Sequence, residues 1–94
     1  MKSVSNIMPH ILANLRGVKF EDIKKLLKEH APIHAKEGLY LEYLWQNADD
    51  KNEVIFLFRA NDLNHAKQFI KKVHAQALKE NPKANLPKMT FLES

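Results

Sequence analysis

The chain reads as a single α+β domain built in the order β-α-β-β-α-β. Two segments carry apolar residues at helical spacing, and each lies between runs rich in strand formers. Between those helical segments stand two strand-like runs in tandem, "LYLEYLWQ" and "VIFLFRA", joined by a polar, acidic turn. A last strand-like run, "KMTFL", follows a proline-bounded loop.

Each element has a local reason. Residues 7–15 are mostly apolar with Gly17 after them, a first strand. Its alternation puts His10, Leu12 and Asn14 on one face and Ile11, Ala13 and Leu15 on the other. In "VKFEDIKKLLKEHAPIHAKEG", Phe20, Ile23, Leu26, Leu27, His30 and Ile33 form a helical stripe. Glu21 and Asp22 fall where the positive end of the helix dipole favours acids. Pro32 removes a helical donor and disfavours helix at Ala31, which predicts a kink or a fresh start there, with Gly38 closing the segment.

Strands two and three are expected at 39–46 and 54–60, with "NADDKNE" as the turn. Strict alternation would place Tyr43 and Trp45 on one face of strand two, and Tyr40, Glu42, Leu44 and Gln46 on the other. Asn61 or Asp62 caps a second helix whose stripe is Leu63, Ala66, Phe69, Ile70, Val73 and Ala77. Asn81-Pro82 stops it, 83–87 is a loop, and Lys88 to Leu92 is the last strand. This is the order of ferredoxin-like folds, a four-stranded antiparallel sheet whose right-handed crossovers set both helices on one face.

That layout leaves the other face of the sheet bare. Strand three has no polar residue before Arg59, so the helices cover either Val54, Phe56 and Phe58 or Ile55 and Leu57. Leaving the first set in water would forfeit about 5–8 kcal/mol, a large part of a small domain's stability. The expectation is a homodimer, sheet against sheet, enclosing a cavity.

Composition narrows the function. The 94 residues make one domain, spanning 1–94 with 1–5 expected to be disordered. With no cysteine, disulfides, thiolate catalysis and Cys-ligated metal are excluded. No apolar run is long enough to cross a bilayer, and the first residues lack the pattern of a secretory leader. The expected address is cytoplasmic, with no membrane partner. The net charge of +4 comes largely from lysines on outward helix faces, the usual solvated pattern, so nucleic acid is not the expected partner.

Several side chains carry candidate chemistry. His10 could serve as a general base and Asn14 as a donor to a phenolate or carbonyl, since both lie on the face of Leu12. Glu42, if buried with Arg59 beside it, could exchange protons or simply form an ion pair. Leu12, Trp45, Phe56 and Phe58 are the candidate ligand contacts. His30 and His34 have the four-residue spacing of a metal pair, but two ligands do not make a site and Pro32 stands between them, so no metal is expected. His65 and His74 read as solvated.

The run "FEDIKKLLKEHAPIHAKEGLYLEYLWQNADDKNEVIFLFRANDLNHAKQF" resembles small dimeric α+β-barrel proteins related to the antibiotic biosynthesis monooxygenases. The matching marks are His30-Ala31-Pro32, Gly38, Asp49-Asp50, Asn52-Glu53-Val54 and Asp62, and the resemblance runs from about Leu12 to Phe91. It implies the sheet-to-sheet homodimer, and activities that range from cofactor-independent oxygenation of quinol-like substrates and cyclisation to none known. The group often has Trp at the position of Ile23, Arg at His34 and Trp at Ala60. Haem-degrading members build their site from a strand-one Asn, a strand-three Trp and a helix-two His. Here Asn14 matches, Ala60 does not, and His74 stands early on its helix, so no haem or other cofactor is expected.

The reading is a dimeric α+β-barrel protein that binds a small apolar or aromatic compound between its sheets. The alternative is a cofactor-independent monooxygenase or cyclase. An RNA-binding module is a lesser alternative, because Phe56 and Phe58 have the spacing of base-stacking aromatics although "DDKNEV" precedes them. An amino-acid-sensing module is another, resting on Gly17.

Overall fold

The computed structural model describes residues 8–94. The expectations for 1–5 and for a strand beginning at residue 7 lie outside the described residues. Six elements follow in the expected order: β1 (His10–Arg16), α1 (Phe20–Lys36), β2 (Leu39–Asn47), β3 (Asp50–Ala60), α2 (Leu63–Glu80) and β4 (Lys88–Leu92). The strands form one antiparallel sheet ordered β2-β3-β1-β4, so the two crossovers interleave as a ferredoxin-like α+β fold requires.

Three local features depart from the expectation. α1 runs unbroken through Pro32. The lost donor would have served the Lys28 carbonyl, and both residues are exposed, so water is at hand for it. The β2–β3 turn is shorter than "NADDKNE" suggests, because the strands extend to Asn47 and Asp50. The Asn47 side chain accepts from the Asp49 amide at 2.8 Å and that of Asp50 from the Asn52 amide at 2.9 Å, so the polar residues tie the turn locally.

The third departure is a bulge in β2. Leu41 pairs with Phe58 and Tyr43 with Leu57, so Glu42 is an extra residue with no partner of its own. Alternation therefore slips by one. Tyr40 now shares a face with Tyr43 and Trp45, and Leu44 and Gln46 turn to the other.

The faces of β3 resolve in favour of covering the larger side chains. Val54, Phe56, Phe58 and Ala60 are buried beneath the helices with Ile11, Ala13, Leu15 and Leu39, against Ile23 and Leu27 of α1 and Ala66 and Ile70 of α2. Each large side chain here contributes about 1.5–3 kcal/mol by leaving water. The opposite face carries Leu12, Ile55 and Leu57 in its middle, with Tyr43 and Trp45 along β2 at 56% and 45% exposure. It is a broad apolar surface on a small domain.

The ends of the helices are set by single residues. Gly38 takes φ +74 just past α1, and its amide donates to the Ala35 carbonyl at 3.0 Å. Asp62, rather than Asn61, caps α2 by accepting from the His65 amide at 3.1 Å.

Candidate functional site

The open face of the sheet has a polar cluster at each end. At one end, the bulge swings Glu42 toward β1 and β3. Its carboxylate lies 2.9 Å from His10 Nε2 and 3.6 Å from Arg59 Nε, and Arg59 in turn sits 4.6 Å above the ring of Tyr40. The Nδ1 atom of His10 is 2.8 Å from the Met8 carbonyl. Both nitrogens of His10 are thus occupied by contacts within the protein. Neither nitrogen is left to take a proton from a substrate.

At the other end stands Asn14, four residues along β1 and thus about 13 Å from His10 at the usual rise per residue. It belongs to a network around Glu53, a residue that the sequence reading left in a solvated turn. Glu53 is only 6% exposed, accepting from Asn47 Nδ2 at 2.6 Å and from Arg16 Nε at 3.3 Å. The Asn47 hydrogen bond foremost, then that of Asn14, with Arg16 adding less, holds its carboxyl below the ordinary carboxylate range although burial pushes the other way. The candidate trio is therefore divided: His10 and Glu42 meet, and Asn14 does not join them.

The candidate ligand contacts are divided too. Leu12, paired with Leu57 across the ladder, and Trp45, stacked on Tyr43 at 5.1 Å with planes 4° apart, lie on the open face. Phe56 and Phe58 point the other way, into the core, 6% and 5% exposed. No aromatic spacing of β3 is thus available to stack bases, and the RNA-binding reading loses its footing.

Phe56 and Phe58 do line a cavity, on the side of the helices. α1 and α2 are splayed, and the crevice between them has a volume of about 240 Å³. Its floor is Phe56, Phe58 and Met89, its walls come from Leu27 of α1 and Ile70 of α2, and Leu86 and Pro87 close one end. The two phenyl rings meet edge to face, 5.7 Å apart. Apart from three imidazoles, those of His30, His34 and His74, the lining is apolar.

The expectation that His74 is solvated is corrected here: it is half-buried and lines the crevice. His30 and His34 are one turn apart on α1, and His74 follows Ile70 by four, one turn along α2. Burial first, and His30 second, lowers the pKa of His34 below its ordinary 6.5, and burial lowers that of His74. His34 stands edge-on to Phe58, and the rings of His30 and His34 are 6.1 Å apart. Among the described residues no three groups are placed to hold a metal ion together. A neighbouring hollow is bordered by Glu37, His65, Gln68 and Lys72 together with Phe69 and Val73, and Glu37 and His65 already engage each other at 2.8 Å.

The chain superposes on a protein of Deinococcus radiodurans whose name assigns it, provisionally, to the antibiotic biosynthesis monooxygenases. The TM-score is 0.54 at 15% identity, over 94% of this chain and 91% of that one. The two share a fold. The ferredoxin-like architecture implied by the sequence marks around Gly38 and Asp62 is thus also found in three dimensions. No protein-family model matches the chain, and neither does any curated protein. Among the described residues, no helix is long and apolar enough to cross a membrane.

Proposed function

We propose that this protein binds a small apolar or aromatic compound, and that it does so as a homodimer joined through the open faces of its sheets. The observation that carries the first part is the crevice itself. An apolar hollow of about 240 Å³ with an aromatic floor lies open between two helices that could have closed over it. An apolar cavity of about 150 Å³ already accepts benzene, so this one has room for a ring and a substituent.

The homodimer is supported by the surface left over. Leu12, Ile55, Leu57, Tyr43 and Trp45 form one contiguous apolar field, and a second copy presents the same field in return. The original expectation put the ligand between the sheets. The helix-side crevice is better supported, because it exists within one chain and contains Phe56 and Phe58.

A cofactor-independent monooxygenase or cyclase would draw its polar groups from His10, Asn14 or Glu42. Their separation, and the engagement of both nitrogens of His10, favours binding without turnover at that face.

The binding reading is tested by thermal shift with a panel of one-ring compounds, each at high excess over its dissociation constant. A bound ligand at a hundredfold excess stabilises by about 2.7 kcal/mol, which is easily seen in a melt. The variant Ala77→Phe, which plugs the crevice from its rim, should lose that response. If no compound moves the melting temperature, the reading fails.

A further inference from the structure

The five histidines divide into two kinds. His10 and His65 each face a carboxylate, Glu42 at 2.9 Å and Glu37 at 2.8 Å. His30, His34 and His74 line the crevice instead. Among the described residues, the histidine side chains that form hydrogen bonds are those of His10 and His65 alone. Three imidazoles are thus gathered at an apolar hollow with no protein partner for their nitrogens, which stay open to water: His30 is exposed, and His34 and His74 are half-buried.

The charged side chains bordering the hollows at His34 and His74 are all lysines. His34 also borders a hollow on the α1 side that includes Lys24 and Lys28, and His74 borders one on the α2 side that includes Lys67 and Lys71. No carboxylate lines the crevice or these two hollows; Glu37 borders a third hollow, which meets the crevice at Phe69 and Val73, and is engaged there by His65 at 2.8 Å, while β3 and β4 contribute only apolar side chains to the crevice. The chain has 11 acidic residues, so this is a matter of placement rather than shortage. A positive field over an apolar, low-dielectric hollow selects an anion with an apolar body.

We propose that the crevice takes a small apolar carboxylic acid as its anion, with the ring on Phe56, Phe58 and Met89 and the carboxylate held by His34 and His74. This rests on the crevice being the binding site. An imidazole kept neutral by burial becomes favourable as a cation once a carboxylate lies beside it. The anion therefore enters together with a proton, and affinity rises as the pH falls. The ligand itself stays ionised over the useful range, because a simple carboxylic acid titrates near 4.

Calorimetry on the full chain tests this with two probes of one shape, benzoate and benzyl alcohol, at about pH 7.5 and about pH 5.5. Benzoate is expected to bind about tenfold more tightly at the lower pH, with about half a proton taken up on average over that interval, read from the dependence of the heat on buffer ionisation. Benzyl alcohol should show no such gain. In the double variant His34→Gln, His74→Gln the preference for benzoate over benzyl alcohol at the lower pH should fall about tenfold. Should that variant fail to fold, the proton count of the unaltered protein decides the matter.

Benzyl alcohol binding with benzoate no tighter at the lower pH, or benzoate binding without proton uptake, overturns the proposal and leaves the crevice as an apolar site. Benzoate whose chemical-shift footprint falls on the open face rather than on Phe58 and Met89 also overturns it. If neither probe binds and no apolar compound shifts the melt, the crevice reading fails as well.

Discussion

The imidazole of His34 stands edge-on to the ring of Phe58, centroids 5.1 Å apart and planes 79° apart. Burial foremost, and His30 beside it, make the cation costly at this position and lower the pKa of His34, as burial lowers that of His74. In the unfolded chain both protonate near their ordinary 6.5. Below that value the unfolded state binds more protons than the folded one, so stability is full above about pH 6.5 and declines as the pH falls toward the folded values. Thermal melts should show a drop between about pH 7 and pH 5.5 that His34→Gln with His74→Gln flattens. Glu53, whose pKa is lowered, acts in a separate window. Its contribution is present above its ordinary 4.5 and is lost only in stronger acid.

Substitutions on β3 should separate its two faces. Phe56→Ala opens a hole in the helix-side core and should cost about 3–5 kcal/mol in denaturant unfolding. Ile55→Ala, next to it but on the open face, should cost the isolated fold much less, and any larger penalty should scale with protein concentration. Equal, concentration-independent losses would contradict the assignment of faces.

A charge in the middle of the open face should dissolve the proposed dimer without unfolding the domain. Leu57→Lys puts an ammonium where two copies would meet, and burying it unpaired is prohibitive. Light scattering should report two chains for the parent protein at micromolar concentration and one for the variant, with unchanged far-UV circular dichroism. A parent protein of single-chain mass ends the dimer proposal.

Gly38 should resist replacement. Its φ of +74 strains any L side chain, and a Cβ there would stand 3.2 Å from that of Asn61. Gly38→Ala should lose about 1–2 kcal/mol, measured by chemical denaturation. Asp62→Ala removes the α2 cap and should cost about 1 kcal/mol by the same measure.

The element order was legible because each element declares its period. The stripes of Ile23, Leu27, Ala66 and Ile70, and the alternation of Ile11, Ala13 and Leu15, needed no tertiary information. What escaped reading depended on geometry with no local mark. One unpaired residue, Glu42, reversed the facing of half of β2, and nothing in "LYLEYLWQ" announces it. Pro32 looked like a break because its preference is measured within a helix, whereas here packing of Ile23 and Leu27 outweighs it. The crevice arises from how far α1 and α2 stand apart, which a one-dimensional pattern does not encode. His74 was expected in solvent because it falls outside the stripe of Phe69, Ile70, Val73 and Ala77, although it follows Ile70 by one helical turn.

The bulge at Glu42 also governs how this molecule can meet others. β2 is an outer strand, and a flat outer ladder is a template on which foreign chains polymerise. An offset in mid-strand breaks the even row of amides and carbonyls that such growth needs. With its rim spoiled in this way, β2 makes a poor seed for fibrils, and stacking flat on a twin becomes the safer use of its tyrosines and tryptophan.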